Sequence, residues 1–127
     1  MNKGTMTLKT SMKIIAAAVL VAAPAVLSAH MKFEKAAPEP DSTVTAPLKS
    51  IQIWFSEAPD LAVSKIDVTG PSGPIKTTGM HAMDKSLMVM IEGATPNGAY
   101  TVRWQAAGDD GHVQKGEFTF TVAAKQP

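Results

Sequence analysis

Alternation of apolar and polar positions is the strongest signal in this chain. Across residues 49–55, Ile51, Ile53 and Phe55 fall on one side. Successive side chains of a strand point to opposite faces, so a period of two predicts a half-buried strand. Residues 86–92 alternate in the same way, with Leu87, Val89 and Ile91 on one side and Met88 and Met90 on the other. Residues 99–105 align Tyr100, Val102 and Trp104, and residues 117–122 align Phe118, Phe120 and Val122. Residues 63–69 predict a further strand, and residues 31–36 a weaker first one. No segment sustains a helical period.

Turn residues separate these segments. Gly70-Pro71-Ser72-Gly73-Pro74 ends one strand, and Pro96-Asn97-Gly98 precedes another. Asn and Gly tolerate positive φ, which gives the second signal a mechanism. Residues 37–47 carry three prolines and predict an extended connection along a sheet edge. Short strands at regular spacing predict an antiparallel β-sandwich.

The N-terminus breaks the pattern. Lys3, Lys9 and Lys13 precede an apolar run over 14–26, which ends in Leu27-Ser28-Ala29. A basic start, a short apolar middle and a small-residue exit predict a secretory signal peptide over 1–29. The run falls short of the roughly 20 residues that a membrane span needs. The expected mature protein is residues 30–127, one domain, exported and not membrane-embedded. Losing three lysines leaves nine basic residues against eleven acidic ones. Such a surface is a poor partner for nucleic acid, which needs clustered cations.

The chain has no cysteine, which restricts metal chemistry to His, Met, carboxylate and backbone. Motifs for nucleophilic hydrolysis, zinc proteolysis and phosphate binding are missing from the sequence. With three histidines and no thiol, a tetrahedral zinc site of the usual composition is not expected. Cleavage after Ala29 would instead expose the α-amine of His30. That amine and the nearer ring nitrogen can chelate one metal ion. Nitrogen donors with a carboxylate suit tetragonal copper(II), which tops the divalent affinity order. Asp110-Gly111-His112 supplies more of the same set. In an extended segment residues i and i+2 share a side, so Asp110 and His112 can face one point. Met80, His81, Met83, Met88 and Met90 cluster within eleven residues. Their thioethers select copper(I), which makes them a candidate second site.

Taken in order, Ala29-His30, Pro38, Ile51-Gln52-Ile53-Trp54-Phe55-Ser56-Glu57, Gly98-Ala99-Tyr100-Thr101-Val102-Arg103-Trp104, Asp110-Gly111-His112 and Gly116-Glu117-Phe118-Thr119-Phe120 resemble the CopC-like periplasmic copper-binding proteins. The resemblance covers nearly all of residues 30–127. It implies an all-β, Greek-key (immunoglobulin-like) antiparallel β-sandwich of about seven strands. It also implies copper(II) held by His30, Asp110 and His112, with Glu57 close by as a weak or outer ligand. Some family members carry a copper(I) site of methionines and a histidine in one loop. This chain departs from that, because Thr69-Gly70-Pro71-Ser72-Gly73-Pro74 after Val68 holds no methionine.

The expected function is that of a periplasmic copper carrier or buffer in tolerance or delivery, not an enzyme. A membrane copper importer or a multicopper oxidase is the candidate protein partner. Two other readings fit parts of the sequence. An oxidative enzyme can hold copper between an N-terminal histidine and a second one, but needs an open position and a flat aromatic face. Aromatics are only 6% here, and Trp54, Tyr100 and Trp104 fall in strand patterns. A metal-free β-sandwich assembly module would need neither His30 nor His112.

Overall fold

The computed structural model describes residues 30–125. The segment read as a signal peptide lies outside them. The described chain forms two packed sheets. One has four strands: β1 (Phe33–Ala37), β3 (Ser50–Phe55), β7 (Ser86–Ile91) and β6 (Thr77–Met83), side by side in that order. The other runs β2 (Thr43–Val44), β9 (Val113–Val122), β8 (Gly98–Ala107), β4 (Lys65–Gly70) and β5 (Gly73–Ile75). Non-consecutive strands lie side by side in both sheets, which is Greek-key wiring.

The predicted alternation sets what is buried. Ile51, Ile53 and Phe55 of β3 face Leu87 and Val89 of β7 across matched register and lie in the core. Ile66 and Val68 of β4, Tyr100 and Val102 of β8, and Phe118, Phe120 and Val122 of β9 close it from the other sheet. Burying each such side chain contributes about 1.5–3 kcal/mol. Tyr100 stacks on Phe120 with ring centroids 5.4 Å apart. Its hydroxyl donates to the Pro96 carbonyl at 2.6 Å, so burial leaves no orphan polar group. Burial also raises the phenol's pKa.

Three details differ from the sequence reading. The proline-rich connection contains β2, a two-residue strand parallel to β9. Gly73 and Pro74, read as the end of a turn, begin β5, and residues 77–83, for which the pattern predicts no strand, form β6. Both are edge strands, so a single neighbour suffices to order them. Asn97 does not take positive φ; Gly98 does, at +139°. The Asn97 amide instead clasps Ala124, donating to its carbonyl at 2.9 Å and accepting its N–H at 3.0 Å.

Candidate metal centre

One end of the sandwich brings together the start of the described chain, the loop after β3 and the loop between β8 and β9. Met31 anchors the first of these. Its side chain is only 2% exposed and joins the core cluster. Lys32 then pairs with Ser56: the Lys32 N–H donates to Ser56 Oγ at 2.8 Å, and the Ser56 N–H donates to the Lys32 carbonyl at 2.8 Å. His30 thus stands exposed, one residue from a fixed backbone.

The β8–β9 loop is a turn rather than a strand. The Gly111 N–H donates to the Gly108 carbonyl at 3.1 Å, and Gly111 has φ of +75°, a conformation that L side chains rarely adopt. Asp110 Oδ1 accepts the His112 N–H at 3.0 Å, closing an Asx-type turn. Asp110 and His112 therefore converge through a turn, not through the extended alternation expected from their spacing. Gly111 supplies φ rather than a close approach, since a Cβ there would meet nothing within 4 Å.

The second Asp110 oxygen is shared. Oδ2 lies 2.8 Å from His30 Nδ1 and 3.1 Å from His112 Nδ1. The two rings stand edge to face, with centroids 4.7 Å apart. Among the described residues, His30, Asp110 and His112 form the group of His and acidic side chains whose ligand atoms all lie within 4.8 Å of one another. The His112 backbone N–H, then the His30 and His112 rings, lower the Asp110 pKa to about 2. The carboxylate is thus ionised across the physiological range and ready to accept a cation. A ring that donates its Nδ1 proton to Asp110 must give that proton up before Nδ1 can bind a metal.

Glu57 is near this group but does not join it. Its Oε1 accepts the Asp109 N–H at 2.9 Å. A Cβ on Gly108 would collide with the same carboxylate, so the two loops are fitted together by a missing side chain. The Asp60 N–H adds a bond to the Ala107 carbonyl at 2.8 Å. Glu57 thereby fixes the backbone that carries Asp110 and His112. No sequence signal separated this role from that of a weak ligand.

The methionine cluster divides. Met88 and Met90 lie opposite the core face of β7, as the alternation predicts. His81 pairs with Met88 across the β6–β7 ladder, and Met83 lies two residues further on. Met80 does not share their face. The register shifts between Thr78 and His81, and Met80 packs against the core instead.

The family model for the CopC domain matches residues 33–123. Protein YobA of Escherichia coli strain K12 is 34% identical over 98 residues, covering 74% of this chain and 79% of that protein. Copper resistance protein C of Escherichia coli is 35% identical over 104 residues, covering 74% and 82%. Among solved structures, PcoC of Escherichia coli, described as a methionine-rich copper resistance protein, superposes with a TM-score of 0.66 at 32% identity, covering 74% of this chain and 99% of that one. CopC from Methylosinus trichosporium OB3b shares the fold at 23% identity, with a TM-score of 0.67. The match runs from β1 to just past the end of β9, and on it this chain belongs to the CopC family.

Proposed function

We propose that this chain binds one copper(II) ion through His30, Asp110 and His112, and acts as a periplasmic carrier or buffer in copper tolerance or delivery. The observation that carries this reading is the convergence of two imidazoles and one carboxylate from both ends of the described chain. Two nitrogens and an oxygen suit tetragonal copper(II). With the signal segment removed after Ala29, the α-amine of His30 adds a third nitrogen to the same point. The names of the copper resistance relatives support copper as the cargo.

Binding and release, rather than turnover, follow from how full the centre is. Asp110 sits between the two rings and shares one oxygen with both. With the amine in place, four donors occupy most of the coordination plane and leave little room for oxygen or substrate. Export rests on the basic, apolar and small-residue order of the first 29 residues. Among the described residues no helix is long and apolar enough to cross a membrane.

The test is a copper(II) titration of protein purified from cells expressing the full chain. Its N-terminus would be read by mass spectrometry, and binding by electron paramagnetic resonance. A one-to-one tetragonal signal with nitrogen coupling is expected, lost in His112→Ala and altered by one extra residue before His30. Equal binding by the extended protein would remove the N-terminal chelate from this account. No binding by any form would remove copper(II).

A further inference from the structure

The five-stranded sheet has one edge that is only half covered. β9 has β8 on one side and β2 on the other, and β2 reaches only Thr121 and Val122. Asp41 is the last cover, its N–H donating to the Thr119 carbonyl at 2.7 Å. Thr121 turns its own N–H to this side, donating to the Ser42 carbonyl at 2.9 Å. Backbone groups of successive strand residues point alternately to the two sides. Those of Lys115 and Glu117 therefore point the same way as those of Thr119 and Thr121. Among the described residues no strand pairs with them there. The open stretch runs from Val113 to Phe118.

Beside this edge lies a cleft of about 550 Å³, whose apolar lining is Phe33, Pro40, Trp104 and Phe118. Phe33 stacks on Trp104 with ring centroids 6.0 Å apart. A side chain on Gly116 would run into the Trp104 indole, so the strand is bare at the middle of the open stretch. An unpaired edge of this kind is a template for another strand.

Charge decides which strand fits. Phe118, Phe120 and Val122 point into the core, so Lys115 and Glu117 stand on the outer face, both exposed. A lone edge lysine opposes pairing between copies. Here Glu117 follows two positions later. A two-fold axis through Gly116 sets Lys115 of each copy opposite Glu117 of the other, in antiparallel register. Opposed residues hold Cβ atoms about 4.5–5.5 Å apart, and opposite charges so placed are favourable. Both residues turn N–H and C=O to the open side, so each pair can exchange both hydrogen bonds. Pairing over residues 114–118 stops just short of Thr119, where Asp41 sits. The same axis brings two bare glycines together and sets the two clefts face to face, taking apolar surface out of water.

We infer that β9 is a self-association edge, on which two copies of this chain pair antiparallel about Gly116. So short a ribbon belongs among the smaller, transient contacts. His30, Asp110 and His112 lie outside the paired stretch, so this inference and the copper reading hold or fail separately.

The test uses protein purified after expression of the full chain, with a chelator present so that no ion bridges two copies. Sedimentation is followed from about 10 µM to about 1 mM, the range in which weak contacts dissociate. The parent should pass from monomer to dimer across it. Lys115→Glu and Glu117→Lys should each weaken association by about ten-fold or more, since each sets like charges opposite one another. Both are exposed changes and should unfold in urea as the parent does. The double variant, with the two charges exchanged on one chain, keeps the parent's net charge and should recover its association. A parent that stays monomeric at the highest concentration would overturn the inference. So would single variants that associate like the parent, or a double variant no better than the singles.

Discussion

The Glu57 carboxylate accepts the backbone N–H of Asp109 at 2.9 Å. Two loops that are 52 residues apart in sequence are thereby locked side by side, and the second of them carries two of the three proposed ligands. We propose that Glu57 supports the centre from outside rather than donating to it. The distinction is measurable. Glu57→Gln keeps an acceptor oxygen and should bind copper(II) nearly as well as the parent. Glu57→Ala should weaken binding by about ten-fold or more, the usual cost of losing an outer partner. Equal losses in the two variants, by competition titration, would make Glu57 a ligand.

Met31 holds His30 in place from the core side. Met31→Ala should cost about 2–5 kcal/mol of stability by urea unfolding, as for other buried large-to-small changes. Ser56→Ala should cost only about 1 kcal/mol, since it removes the Lys32 hydrogen bond without a cavity. Both should also weaken copper(II) binding, because each loosens the backbone beside His30. A Met31→Ala protein with unchanged copper affinity would show that His30 positions itself.

The two loop glycines answer to different forces. Gly111→Ala meets no neighbour and should cost about 1–2 kcal/mol through its left-handed backbone alone. Gly111→Asn should recover much of that, because Asn tolerates this conformation. Gly108→Ala runs into the Glu57 carboxylate. Its cost should fall when Glu57→Ala is introduced as well, a non-additivity that a double-mutant cycle would read.

Acid should weaken the metal-free protein through Asp110. Its folded pKa of about 2 lies below the ordinary 3.8. A group with a depressed folded pKa adds stability above its unfolded value and loses it as pH falls through the folded one. The stability difference between parent and Asp110→Asn should therefore be level above about pH 4 and shrink towards pH 2. A difference that is flat across that window in urea unfolding would contradict the hydrogen bonds assigned to Asp110.

Much of this was legible in the chain. Strands with one strictly apolar side, such as Ile51-x-Ile53-x-Phe55 and Phe118-x-Phe120-x-Val122, announce themselves because the core demands that period. β6 did not. Its core-side residues are Thr77, Met80 and Ala82, only partly buried or exposed, and a bulge breaks its register. That bulge is also why Met80 parts company with His81. The pairing of Asp110 with His112 was readable from spacing, but the turn that achieves it was not. An Asx bond and a positive φ leave no periodic trace. The support given by Glu57 is a tertiary fit between two loops and has no local signature.

Residue 30 and residue 110 are 80 positions apart, yet their side chains touch at 2.8 Å. An ion held between them would tie the front of the domain to its last hairpin and close almost the whole chain into one loop. Cross-links around loops of that size remove several kcal/mol of freedom from the unfolded chain. In a protein without a single cysteine, the cargo itself would then do what a disulfide does elsewhere. Loaded protein would resist proteolysis at its first strand, and empty protein would be the more readily cleared form.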